Sequence, residues 1–95
     1  MAAKRSVMVD DLKRCIVCGR KPAQIHHVFY GTSNRKNADE DGFIVPLCLE
    51  HHTGSRAAVH FNKVLDMALK QQAQRIYERK HTRQEFITRY GKSYL

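Results

Sequence analysis

No apolar run in this chain approaches the ~18 residues a helix needs to span a bilayer. No secretory signal is evident, no segment repeats, and no stretch is of low complexity. Cysteine is scarce. Three residues cannot all pair internally, so a disulfide framework is a poor fit and a reducing, cytoplasmic setting without a membrane is expected. Acidic residues are few as well: nine Asp/Glu stand against seventeen Lys/Arg, for a net charge of +8 and a pI near 9.8. The excess is uneven. Residues 1–50 carry eight basic against six acidic side chains, and residues 51–95 carry nine against three. A basic half suits a polyanion, most often nucleic acid, although a solvated charged helix surface gives the same balance.

What is present concentrates in one stretch. All three cysteines and four of the six histidines lie between Cys15 and His52. Ninety-five residues make one domain with a modest core, for which a metal staple is a natural supplement. Cys15-Ile-Val-Cys18 is a knuckle: two thiolates two residues apart can bind one ion from a tight turn, and Gly19 permits the positive φ that such turns use. Alone it would also suit a redox pair. With Cys48 and His51 at a second ligand spacing, the reading is a structural Zn²⁺ held by Cys15, Cys18, Cys48 and His51. His52 is the alternative fourth ligand. The histidines left over suit a second, chemical site.

The remaining pattern places these groups. Residues 1–14 have no period and read as a flexible basic segment; residues 15–95 read as a single domain. Ala23 to Tyr30 is strand-like, and neighbours on a strand point to opposite faces, so His26 and His27 share a site only at a strand end or bulge. Gly31 to Gly42 is polar and glycine-bounded and reads as a loop. In it Arg35 and Lys36 suit phosphate, and Asp39-Glu40-Asp41 read as a solvated acidic turn. Phe43 to Leu47 is the second strand of a hairpin. From residue 51 a helical turn would aim His51 at the zinc and His52 toward the hairpin. Ala57 to Phe61 extends or restarts a helix. Asn62 is an N-cap for a helix over Lys63 to Lys80, with Leu65, Leu69, Ala73 and Ile76 as its apolar stripe and Lys63, Lys70 and Gln74 on the opposite side. Thr82 to Glu85 is a capping box for a last helix, with Phe86, Ile87 and Tyr90 inward and Gly91 as its stop. The fold class expected is α+β.

Cys15-x2-Cys18, Ile25-His26-His27, Pro46-Leu47-Cys48-x2-His51-His52 and, more loosely, Val59-His60 together resemble the HNH nucleases, the ββα-metal fold. The likeness covers residues 15 to about 62. It is nearest to small phage and prophage members and is similar to the RecA-dependent recombination nuclease domain. The resemblance implies a metal-dependent DNA endonuclease with DNA, and a recombinase filament, as partners. It implies one divalent ion, Mg²⁺ or Mn²⁺, held by His26 and His52 and joined by His60 as ligand or phosphate contact, with His27 as general base. Arg35, Arg56 and Lys63 are the DNA-binding candidates. One departure stands out: the family's Asn before the second strand is absent, since the chain reads Asp41-Gly42-Phe43-Ile44 there. No residue is thereby assigned to orient His27. The competing reading is a zinc-stabilised nucleic-acid-binding module without catalysis. A protein-interaction domain is a third, which leaves the basic half without a purpose.

Overall fold

β1 (Gln24–His27) and β2 (Ile44–Leu47) pair antiparallel, with Gln24 opposite Leu47 and His27 opposite Ile44. They belong to a computed structural model that describes residues 5–54 and 62–95. Its elements follow in the order β1, α1 (Thr32–Asp41), β2, a five-residue π-helical turn (Glu50–Gly54), α2 (Lys63–Tyr77) and α3 (Arg83–Tyr90). The architecture is α+β, a two-stranded hairpin with helices. No helix among the described residues is long and apolar enough to cross a membrane.

The hairpin's apolar residues meet the helices in one core. Phe29 packs against Phe43, Phe86, Tyr90 and Tyr94 with ring centroids 4.4–5.8 Å apart. Tyr77 and Tyr90 extend the cluster to Phe43 and Phe86. Burying one such phenylalanine stabilises the fold by about 1.5–3 kcal/mol, so this cluster is the main apolar contribution. α2 and α3 begin where their caps foretell. Asn62 Oδ1 accepts from the N–H groups of Val64 and Leu65 at 3.1 Å each. Thr82 and Glu85 close a reciprocal capping box, and Gly91 ends α3 in the left-handed region with φ 97°.

Four features correct or extend the expectations. First, residues 31–42 are not a loop: Thr32–Asp41 is helical. Among the helix's described side chains only Ala38 is buried, so no apolar stripe announces the helix. Polar bonds hold it instead. The amides of Asn34 and Asn37 donate to the carbonyls of Tyr90 and Arg89 at 3.2 and 3.1 Å. Arg89 forks onto Asp41 at 2.7 and 3.1 Å and reaches Glu40 at 3.0 Å, and the Tyr90 hydroxyl donates to Asp41 at 2.6 Å. A cation beside two carboxylates, Glu40 and Asp41, at a helix C-terminus also offsets their unfavourable placement on the helix dipole. These partners hold the Arg89 guanidinium still more firmly protonated, Asp41 foremost.

Second, α2 stops at Tyr77, short of Lys80, and Lys70 and Gln74 are buried rather than on a solvent face. Lys70 Nζ donates to Asp66 at 2.5 Å and to the Tyr30 hydroxyl at 3.0 Å. Burial works against its charge, but Asp66 and Tyr30 outweigh that and raise its pKa. Gln74 donates to Glu78 and Ser93 and accepts from the Tyr94 N–H, tying α2 to the C-terminal residues. Third, the N-terminal segment reaches the hairpin through Ser6 and Val7, which its lack of a period does not announce. Ser6 Oγ donates to the Ile44 carbonyl at 2.6 Å, and the Val7 N–H donates to Gly42 at 2.9 Å. Fourth, the strands are shorter than expected, four residues each. The expected helix over Ala57 to Phe61 lies outside the described residues.

Candidate functional site

Two turns bring the cysteines together. In the knuckle the Gly19 N–H donates to the Cys15 carbonyl at 2.8 Å and the Cys15 N–H to Arg20 at 3.0 Å, with Gly19 at φ 75°. The Ile16 N–H donates to the Pro46 carbonyl at 2.8 Å, which docks the knuckle beside β2. After β2 the N–H groups of His51 and His52 both fold back onto the Cys48 carbonyl, at 3.1 and 2.9 Å. The outcome is a group of four donors, Cys15, Cys18, Cys48 and His51, able to hold a metal ion, with all ligand atoms within 4.8 Å of one another.

The spacing suits a tetrahedral ion. Cys18 Sγ lies 3.6 Å from Cys48 Sγ, and His51 Nδ1 lies 3.2 Å from Cys48 Sγ and 3.6 Å from Cys15 Sγ. Metal bonds of ~2.3 Å to sulfur and ~2.0 Å to nitrogen give tetrahedral edges of roughly 3.8 and 3.5 Å. The thiols are free, with no disulfide. Burial pushes the Cys15 thiol up, but N–H groups of Cys48, Cys18 and Val17, with the Cys18 side chain, outweigh it and bring it to about 6. The Arg20 N–H favours the Cys18 thiolate, yet desolvation and the sulfurs of Cys48 and Cys15 raise its pKa. Clustered thiolates oppose one another's charge, and a cation at their centre relieves that opposition. His52 is not in this group.

His52 turns the other way, as its place in the π-helical turn allows. Its Nδ1 lies 2.7 Å from Gln24 Oε1. A carbonyl oxygen only accepts, so Nδ1 carries the hydrogen and the ring's lone pair sits on Nε2. The ring stands edge-on to His26, centroids 5.4 Å apart. Gln24 and His26 share one face of β1, two residues apart, so that face supports His52 twice. His27, the last residue of β1, goes to the opposite side, where its Nε2 lies 2.8 Å from Asp39 Oδ1 on α1. Both strand histidines nonetheless border one open cleft of about 210 Å³, lined among the described residues by Ile25, His26, His27, Tyr30, Arg35 and His52.

Of the expected site residues, the cleft therefore gathers His26, His27, His52 and Arg35. Lys63, the first residue of α2, is exposed and does not line it. Arg56 and His60 lie outside the described residues. Three neighbours were not singled out by the sequence: Gln24, Asp39 and Tyr30. Gln24 had a signal, its i−2 spacing from His26 on a strand. Asp39 sits in an acidic run that reads as solvated, and nothing local marks it as a partner of His27.

A family model described as a protein of unknown function, DUF968, matches residues 8–90. The chain belongs to the DUF968 family. In this DUF968 chain the matched span takes in both the cysteine group and the cleft. No curated protein and no solved structure matches it.

Proposed function

We propose that this DUF968 protein is a metal-dependent DNA endonuclease of the HNH, ββα-metal type, stapled by one structural Zn²⁺ at Cys15, Cys18, Cys48 and His51. The observation that carries the reading is the convergence of His26, His27 and His52 with Arg35 on one open cleft, beside a separate closed group of four donors. Three thiolates and one imidazole leave zinc no open position, so that ion serves folding. A structural module has no use for a second set of three histidines at a solvent-open cleft.

His26 and His52 would hold the catalytic divalent ion. The donation from His52 Nδ1 to Gln24 leaves Nε2 as the basic nitrogen and fixes the ring, as metal-ligating histidines require. Bound there, Mg²⁺ or Mn²⁺ supplies charge stabilisation at the scissile phosphate and the leaving 3′ oxygen. His27 removes a proton from water as the water oxygen bonds to phosphorus. The bond from phosphorus to the 3′ oxygen breaks, and that oxygen takes a proton from solvent, giving a 5′-phosphate and a 3′-hydroxyl. Neutral imidazole near pH 7 is suited to this proton transfer. Arg35, at the rim of the cleft, and Lys63 and Arg56 contribute positive charge toward the phosphodiester backbone. A recombinase filament is the further partner this reading carries.

The test is incubation of zinc-loaded protein with supercoiled plasmid and Mg²⁺ or Mn²⁺, with EDTA as control. Nicking with a divalent ion and none in EDTA is expected. DNA binding without cleavage under any divalent ion would replace the enzyme by a zinc-stabilised binding module.

A further inference from the structure

Resting on that nuclease reading, we propose that Asp39 is the positioning residue of the site: it holds His27 in one tautomer and one ring orientation. The contact is 2.8 Å between His27 Nε2 and Asp39 Oδ1. A carboxylate accepts, so the hydrogen is on Nε2 and the basic lone pair is on Nδ1. An imidazole without such a partner divides between tautomers and turns about a broad χ2, and each wrong state removes base from the site. The His27 side chain is 9 % exposed while that of Asp39 is 39 % exposed. The ring is thus fixed inside the protein by a carboxylate that reaches it from the surface helix.

α1 gives that carboxylate a fixed origin. Its three consecutive acidic residues divide their partners. Asp39 turns to β1, whereas Glu40 and Asp41 engage Arg89 and Tyr90 of α3. Asn34 and Asn37 add two further bonds to the end of α3. α3 makes no contribution to the lining of the cleft, yet through α1 it determines where Asp39 stands. The segment where HNH proteins carry their Asn has none here, and Asp39 supplies an orienting acceptor from the preceding helix.

The experiment measures plasmid nicking by wild type, Asp39→Ala, Asp39→Asn, His27→Ala and the double variant His27→Ala/Asp39→Ala. Asp39→Ala should lower kcat by about tenfold to a thousandfold, with KM and zinc content unchanged. Asp39→Asn should also lower kcat at unchanged KM and zinc content, since its amide N–H₂ can donate to the ring and hold the wrong tautomer. In the His27→Ala background the loss of Asp39 should cost nothing more. The role is overturned by an Asp39→Ala or Asp39→Asn protein that nicks at the wild-type rate, or by equal losses in both backgrounds. Wild type that cuts no DNA removes the nuclease reading and this role together, whereas wild type and Asp39→Ala cutting equally removes this role alone. Ring ¹⁵N spectra of the wild-type protein give a readout independent of any variant's folding: His27 should carry its hydrogen on Nε2, and a hydrogen on Nδ1 contradicts the assignment.

Discussion

The cysteine group and the histidine cleft share one hairpin and are built in opposite ways. The first draws all four donors from turns, the knuckle before β1 and the turn after β2, and aims them at each other. The second takes donors from the strand and from the π-helical turn, and gives His27 and His52 an oxygen acceptor on one ring nitrogen, Asp39 and Gln24. A closed set of donors has room for an ion and nothing else. A set of imidazoles oriented around an open cleft has room for a substrate. His51 and His52, adjacent in sequence, divide between the two, so one peptide unit separates a donor of the closed group from a side chain of the open cleft.

The sharpest way to break this comparison is to open the closed group. Cys48→Ala, or chelation of the ion, should unfold the protein, because structural zinc contributes roughly 10–16 kcal/mol in small zinc domains, comparable to the whole stability of a typical domain. Circular dichroism and metal analysis check this; a well-folded wild-type sample without zinc would contradict it. Next in size is His27→Ala, which should lower the nicking rate by about 10²–10⁴-fold at unchanged zinc content and DNA affinity. His52→Ala should also fall, but excess divalent ion should partly restore it, and Gln24→Ala should weaken the same ion by roughly 10–100-fold. Titration of the rate against Mn²⁺ separates these two from His27→Ala, which no amount of metal should repair.

Outside both sites the effects should be smaller. Gly42 ends α1 at φ 80°, and a Cβ there would stand 3.0 Å from Val7 Cγ1 and 3.2 Å from the Val7 nitrogen. Gly42→Ala should therefore cost about 1–2 kcal/mol from the left-handed conformation alone, with more from the crowding against Val7. Urea unfolding reads this directly: a loss of only about 1–2 kcal/mol would mean that the N-terminal segment gives way freely, and an unchanged midpoint would contradict the prediction.

The same contrast explains how much is legible in the sequence. Cys15-x2-Cys18 and Cys48-x2-His51 are local spacings that a turn satisfies, so residue order names the three cysteines and favours His51 over His52, and the fold of the turn decides between the two histidines. The caps at Asn62, Thr82 and Gly91 are local as well, and they fall where the sequence puts them. α1 is not legible. It lacks an apolar stripe, and Asn34, Asn37 and Asp41 find their partners about fifty residues away on α3. Lys70 and Gln74 mislead for the same reason, since their burial depends on Tyr30, Ser93 and Tyr94. In the cleft, the histidines announce themselves by type. Asp39 does not, because a carboxylate in an acidic run looks the same whether water or an imidazole faces it.

The most direct test of the division between the two sites is to measure zinc per chain and plasmid nicking rate on one preparation of His27→Ala beside wild type. The account predicts one zinc per chain in both and a rate at least about a hundredfold lower in the variant. Equal nicking by the two proteins, or loss of zinc from His27→Ala, would contradict it.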